Sequence, residues 1–311
     1  MVPGKSCVSL KKVAETMTQT KGILLAGGLG TRLAPMTSVI NKHLIPIYDK
    51  PMIYYPLSSL MLCGIREIAL ISNPGDIPTF KKLFGDGKQL GIEITYLEQI
   101  NPNGLPEAFI IAEQFLNGSK SVLILGDNLL IGQGMGSTLQ SHINKPGASI
   151  FAFPVNNPSE YGVVEFDSSG KVVSLVEKPQ VPKSNFAVPG IYYFDENAPV
   201  YAKSLSPSPR GELEITDLLQ MYLKMNQLHV TTIRRGTGWM DAGTTESLYA
   251  ASELVRVLQN RQGYRFNVPE EIAFISGWIN QSQLRKIAMQ YSGTEYGKYI
   301  LELSNNFSNK Q

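Results

Sequence analysis

The 311-residue sequence predicts an α/β protein with one doubly wound, mixed β-sheet and a helical carboxyl-terminal segment. Three observations predict it. Short apolar runs alternate with helix-like stretches up to Leu125, a β-rich stretch follows, and amphipathic segments close the chain. Hydrophobic residues make up 43% and charged residues 17%, the balance of a folded chain long enough for one large core.

Residues 21–26 (KGILLA) form an apolar run that leads into glycines, the pattern of a buried strand. Similar runs recur at 67–72, 92–97 and 121–125, separated by helix-like stretches around 53–63, 79–84 and 107–115. Strand alternating with helix predicts a parallel, Rossmann-like arrangement. After Gly126, residues 148–155, 162–166, 172–177 and 186–194 are β-rich, and Ser168-Ser169-Gly170 marks a hairpin turn. This half is therefore mixed. Helices are expected at 215–225 and 244–261, and 269–303 reads as short amphipathic helices. The expected organisation is an amino-terminal extension over 1–20, an α/β domain over 21–262, and a helical segment over 263–311 packing on the domain or on a neighbouring subunit.

Formal net charge is +2 with Lys and Arg scattered, so the basic stripe of a nucleic-acid binder is missing. Cys7 and Cys63 are too few for a disulfide framework and neither has a CxxC neighbour, which suits a reducing, cytoplasmic setting. No apolar run reaches the length of a membrane span, and residues 1–16 hold no apolar signal core. Neither nucleic acid nor membrane is an expected partner.

The first strand runs into Gly27-Gly28-Leu29-Gly30-Thr31-Arg32-Leu33. Glycines let a backbone approach an anion closely and present N–H groups, and the carboxyl edge of a parallel sheet is where such folds bind ligands. On its own the loop is equally a tight turn. It has neither the GxGxxG spacing of dinucleotide folds nor the GK[ST] of Walker loops. Further on stand Lys42, Leu44 and Pro46 (NKHLIP), then Lys50-Pro51-Met52-Ile53. Together GGxGTRL, KxLxP and KPMI resemble the amino-terminal signature of sugar-nucleotide pyrophosphorylases, the sugar nucleotidyltransferase family. The likeness covers residues 21–303, through Tyr54-Tyr55-Pro56-Leu57-Ser58, Leu125-Gly126-Asp127-Asn128, the string 160–166 (EYGVVEF), Glu177-Lys178-Pro179, 207–217 and Pro269-Glu270-Glu271-Ile272-Ala273. Arg261-Gln262-Gly263 with that last string is similar to the short thymidylyltransferases of the family.

The resemblance implies a nucleotide-diphospho-sugar transferase fold and a reaction of dTTP with glucose 1-phosphate that expels pyrophosphate. It further implies Mg²⁺ as cofactor, a homotetramer, and feedback control by a downstream dTDP-sugar. Nucleotide contacts are implied for Gly27, Gly28, Gly30, Thr31, Arg32, Lys42, His43, Gln99, Gly104 and Asp127. Arg32, Lys42 and Lys178 become the catalytic cations. Asn128, Gly162, Glu177, Lys178, Val188, Tyr192 and Arg210 become sugar-phosphate contacts, and Asp127 with Asp241 the metal carboxylates.

Charge explains the pattern. Two polyanions must meet in such a reaction, so neutralisation and positioning dominate catalysis. Asp127 follows an apolar strand and a glycine, which brings its carboxylate to the sheet edge, and Mg²⁺ is bound through one or two carboxylates with phosphate oxygens and water. A glutamine amide such as Gln99 both donates and accepts, matching the imide edge of thymine or uracil. The nucleophile belongs to the substrate, so Cys63 and His142 are expected to be structural.

His43, Pro106-Glu107, Gln133, Pro189 and Ala242 stand where relatives commonly carry Gln, Ala-Gln, His, Thr and Thr. The nearest alternative is the same chemistry on UTP or CTP, or with another hexose 1-phosphate. An alternative of a different class is a non-catalytic, nucleotide-sugar-binding regulatory subunit, which would be expected to lose Arg32, Lys42, Asp127 or Lys178; all four are present. A nicotinamide-dependent oxidoreductase is disfavoured by the missing GxGxxG.

Overall fold

A computed structural model describes residues 20–233 and 235–306. The extension expected over 1–20, with Cys7, lies outside the described residues except for Thr20, which opens the first strand. The parallel half contains β1 (Thr20–Leu25), a short ribbon of β2 (Pro46–Ile47) and β3 (Lys50–Pro51), and α1 (Tyr54–Leu62). It continues with β4 (Glu67–Ser72), α2 (Ile77–Phe84), β5 (Glu93–Glu98), α3 (Glu107–Ile111), α4 (Glu113–Leu116) and β6 (Lys120–Leu125). β1 pairs in parallel with β6 and β4, and β4 with β5.

The second half contains β7 (Asn128–Ile131), α5 (Met135–Gln140), β8 (Ala148–Pro154), β9 (Gly162–Phe166), β10 (Val172–Glu177), β11 (Phe186–Ala187) and β12 (Ile191–Phe194). Then come α6 (Ala198–Lys203), α7 (Ile215–Lys224), β13 (Leu228–Thr232), β14 (Gly238–Asp241), α8 (Thr245–Gln262), α9 (Pro269–Ile275), α10 (Gln281–Gln290) and α11 (Glu295–Asn306). The main sheet runs β10-β9-β11-β8-β12-β6-β1-β4-β5, with β13 beside β8. β12 is antiparallel to both β6 and β8, which makes the sheet mixed. β9 and β10 form the expected hairpin, whose turn is closed by the Asp167 carboxylate accepting from the backbone N–H groups of Ser169 and Lys171.

Alternation along β1 builds a core on each face. Leu24 joins Ile68, Leu70, Ile124 and α1 on one side, while Ile23 and Leu25 join Leu123, Phe109 and α7 on the other. The tail packs on the first of these cores: Ala273, Leu284, Ile287 and Ile300 are buried within it. α8 starts at a capping box between Thr244 and Ser247 and stops at Gly263, whose φ of 71° is left-handed.

Two stretches differ from the sequence expectation. Residues 107–115 are two short helices meeting at Ala112, where ψ has opened to 2°. The run 186–194 breaks into β11 and β12 around Pro189, which has no N–H to donate, and Gly190, whose N–H donates to the Asn128 side chain at 2.9 Å.

Ile124 is fully buried in β6 between β1 and β12. Ile124→Ala is expected to cost about 2–5 kcal/mol, read as a lower denaturant midpoint in chemical unfolding; an unmoved midpoint would show that this strand is not the centre of the core.

Candidate active site

The loop after β1 is tied down by its carbonyls. Ala26 O accepts from Ser72 Oγ at 2.9 Å and Asn41 Nδ2 at 3.2 Å, and Gly27 O accepts from Asn73 Nδ2 at 3.0 Å. Its amides are unpaired within the protein: among the described residues, nothing accepts from the N–H groups of Gly27, Gly28, Leu29 or Gly30. Consecutive free N–H groups at a sheet edge form a cradle for an anion. Gly30 has φ of 65°, and a Cβ there would stand 2.9 Å from Lys42 Cβ. A Cβ on Gly28 would lie 3.2 Å from Lys42 Cε, so both glycines make room for the lysine beside the loop.

Lys42 leaves a 3-10 turn capped by the Asn41 side chain, which accepts from His43 N. Its Nζ lies 2.5 Å from Asp127 Oδ2, and both side chains are nearly buried. His43 packs against Gly126, where a Cβ would stand 2.5 Å from the ring. Burial, then the Lys42 charge, lowers its pKa to about 3, so the imidazole is neutral.

Asp127 follows β6, and its neighbour Asn128 opens β7. β7 pairs antiparallel with β14, placing Asn128 opposite Asp241, and Ala242 N donates to Asp127 O at 2.9 Å. The ladder thus brings Asp127 and Asp241 together from strands far apart in sequence. Burial alone would raise the Asp127 pKa, yet the adjacent Lys42 ammonium and the Asn128 amide hold it well below the usual carboxylate range. Asp241 goes the other way, raised to about 6 by burial and by the Asp127 charge.

Two hard oxygen donors with mutual repulsion suit a divalent cation. No group of three or more metal-binding side chains exists among the described residues; Asp127 and Asp241 are the two carboxylates that could share a divalent cation here. Arg32 reaches the same place: a Cβ on Gly243 would stand 2.6 Å from Arg32 Nη2 and 2.8 Å from Asp241 Oδ1.

Arg32, Asp127 and Asp241 border a cavity of about 190 Å³ that also takes in Asn128, Gly162, Glu177, Lys178, Val188 and Tyr192, while Lys42, His43 and the glycine loop lie beside it without lining it. Glu177 ends β10 opposite Gly162 in β9. Burial raises its pKa, with Lys178 and Arg210 opposing. Lys178 has φ of 41°, a conformation unusual outside glycine, fixed by its N–H donating to Tyr161 O at 3.0 Å. Tyr192, from β12, is pushed above the ordinary phenol range by burial and by Glu177, Asp241 and Asp127. Asn128 Oδ1 is held by Gly190 N at 2.9 Å and Trp239 Nε1 at 2.7 Å.

Some expected residues lie apart from this cavity. Arg210 is forked onto Glu214, with Nη2 at 2.6 Å, and approaches Glu177 only to 3.8 Å. Gln99 lies against the glycine loop, and Gly104 lies against Leu213. A Cβ on Gly27 would lie 2.4 Å from Gln99 Oε1, and Gly104, with φ of 112°, bridges to Leu213, whose O would lie 2.1 Å from an added Cβ. Cys63 and His142 are buried away from the cavity. Burial pushes the Cys63 thiol to about 12 and His142 down to about 3, and Cys63 Sγ contacts Tyr193 Oη at 3.6 Å.

Sequence reasoning missed Tyr161, Trp239 and Thr216 as cavity residues. Tyr161 and Trp239 form an edge-on pair with ring centroids 5.0 Å apart; Tyr161 directly precedes Gly162, and Trp239 stands on the same strand as Asp241, separated from it by Met240. That nearness in sequence was the available signal.

The nucleotidyl transferase family profile matches residues 21–257. A glucose-1-phosphate thymidylyltransferase of Xanthomonas campestris pv. campestris (strain B100) is 49% identical over 289 residues, covering 93% of this chain and 98% of its own. One from Mycobacterium tuberculosis (strain ATCC 25618 / H37Rv) is 49% identical over 283 residues, covering 91% and 98%. Among solved structures, a Bacillus anthracis protein assigned as a glucose-1-phosphate thymidylyltransferase, in complex with a sucrose, superposes with TM-score 0.70 at 38% identity, over 76% of this chain and 95% of its own. A UDP-glucose pyrophosphorylase complexed with UDP-glucose shares the fold, with TM-score 0.68 at 24% identity over 77% and 99%.

A carboxyl whose pKa rises on folding costs nothing below its ordinary value near 4, where both states are protonated; the cost grows as pH rises from there and is complete above its folded value of about 6. Asp241→Asn is therefore expected to melt higher than the parent at pH 7.5 in chelator, by an amount on the order of 2 kcal/mol, with the gap closing toward pH 4. Thermal melts across that range check it, and a pH-independent gap would remove the electrostatic account.

Proposed function

The chain belongs to the nucleotidyl transferase family, and from that premise we propose that it joins dTTP to glucose 1-phosphate, forming dTDP-glucose and pyrophosphate. The observation that carries the reading is the free-amide glycine loop lying beside Lys42, Arg32 and the paired carboxylates Asp127 and Asp241. In the reaction a phosphate oxygen of the sugar phosphate bonds to the α-phosphorus, and the bond to the β-phosphate bridging oxygen breaks. The nucleophile arrives already deprotonated, so no side chain has to remove a proton.

The work left to the protein is charge and position. Loop amides and Thr31 take the triphosphate, Arg32 and Lys42 counter the charge gathering on departing pyrophosphate, and Lys178 holds the sugar phosphate. Glu177 accepts from sugar hydroxyls, with Asn128, Gly162, Val188 and Tyr192 shaping the pocket and Arg210 at its margin. Asp127 and Asp241 would hold Mg²⁺, which when bound supplies further positive charge to the phosphate oxygens. Gln99 and Gly104 take the base, with His43 beside Lys42. A homotetrameric, cytoplasmic enzyme belongs to the same proposal; among the described residues no helix is long and apolar enough to cross a membrane.

A pyrophosphate-release screen of dTTP, UTP, CTP, ATP and GTP against several sugar 1-phosphates tests the reading. dTTP with glucose 1-phosphate is expected to lead, with UTP, which lacks the methyl and carries a 2′-hydroxyl, turned over more slowly, the methyl in an apolar pocket being worth about 1–3 kcal/mol or roughly 10–200-fold; no turnover of dTTP with glucose 1-phosphate would refute it. Asp127→Asn is expected to abolish Mg²⁺-dependent release. Lys42→Ala should slow turnover by roughly 10²–10³ and, because it leaves a buried carboxylate uncompensated, lower the melting temperature in chelator until Mg²⁺ restores it. Unchanged turnover in either variant would remove that residue from the mechanism.

A further inference from the structure

Gln99 is 4% exposed, directly after β5, with its N–H donating to Ser72 O at 2.9 Å. Its side chain is held by Glu107, the first residue of α3: Gln99 Nε2 donates to Glu107 Oε2 at 2.7 Å. Asn103 donates to the same carboxylate, from Nδ2 to Oε1 at 2.7 Å and from its backbone N to Oε2 at 3.4 Å. A carboxylate only accepts, so it admits only the NH₂ end of the amide. The flipped amide, on a side chain itself buried, would set two acceptors against each other, which is costly.

The opposite end of the amide is free. Gln99 Oε1 takes no hydrogen bond among the described residues, and it lies over Gly27, where any Cβ would come within 2.4 Å. We propose that Glu107 is a positioning residue that sets base choice, fixing Gln99 so that a carbonyl oxygen is offered to the base. The inference rests on Gln99 as the base reader in the function proposed above. Thymine and uracil present an N3–H that this oxygen can accept, and the second amide hydrogen of Gln99 remains for an adjacent base carbonyl. Cytosine presents a lone pair at N3 and meets the oxygen acceptor to acceptor.

Equilibrium titration of the full chain with dTTP, dUTP and dCTP tests this without requiring turnover. dUTP and dCTP share sugar and phosphates and differ only along the edge in question. The parent protein is expected to bind dUTP at least about tenfold more tightly than dCTP, the worth of one lost hydrogen bond to a buried acceptor. Glu107→Ala frees the amide to rotate and should pull that ratio toward one. Glu107→Lys, a donor in place of an acceptor, should draw Oε1 to itself, turn the NH₂ to the base and shift the ratio in favour of dCTP. Equal weakening of both nucleotides in the variants would reduce Glu107 to a structural role, and equal affinity of the parent for both would overturn the proposal outright. If the ratios behave as expected while the parent releases no pyrophosphate from dTTP and glucose 1-phosphate, the proposed reaction fails and the role of Glu107 stands.

Discussion

Asp127 is a carboxylate buried at the end of a central strand, and a buried charge of that kind persists only with a partner. Lys42 is that partner at 2.5 Å, and most of the local architecture serves to bring the two together. The glycines at 28 and 30 clear space for the lysine, Asn41 caps the turn from which it leaves, and Gly126 admits the neutral His43 ring alongside. The second carboxylate, Asp241, has no comparably close cation. Burial and the Asp127 charge raise its pKa, and a divalent cation would complete the charge balance of the pair.

The legible part of the fold was the part with local signal. Strands of continuous apolar residues, the Ser168-Ser169-Gly170 turn and the capped helix beginning at Thr245 each announce themselves in neighbouring residues. The two-stranded ladder of β7 and β14 does not. Each strand has four residues, and their pairing spans more than a hundred positions, so neither periodicity nor turn chemistry could disclose it. That ladder sets the distance between Asp127 and Asp241. Residue types and motif context indicated which carboxylates matter; only the three-dimensional pairing explains why they differ in proton affinity. Arg210 shows the converse limit, since the string around it suggested the pocket while Glu214, four residues on, binds it more closely than Glu177 does.

The helical tail bears on the site through a polar seam rather than by contact with the cavity. Glu270 and Glu271 of α9 accept from Tyr296 and Tyr299 of α11, at 2.7 and 2.9 Å. Asp49 pairs with Arg265 and with Lys50, whose ammonium also lies 4.6 Å from the centre of the Tyr55 ring. Lys50 and Tyr55 flank the start of α1, shortly after the segment that delivers Lys42. Removing a single member of such a seam would strand a buried charge, so the tail, the β2–β3 ribbon and the amino-terminal loop hold their positions together.

Several features at the cavity work against stability when taken alone. Lys178 is held at φ of 41°, Asp241 faces another carboxylate, and the loop amides lack acceptors. The last two are costs that a phosphorylated ligand or a cation would offset: an anion satisfies the amides, and a divalent ion satisfies the carboxylates. Bound ligand stabilises the folded state by mass action, so the same interactions that position substrate would also tighten the fold around it. The Gln99–Glu107 pair stands outside this pattern. It is already ordered without ligand, with one amide end fixed and the other open, which is the condition for recognising a base without the penalty of first ordering the side chain that reads it.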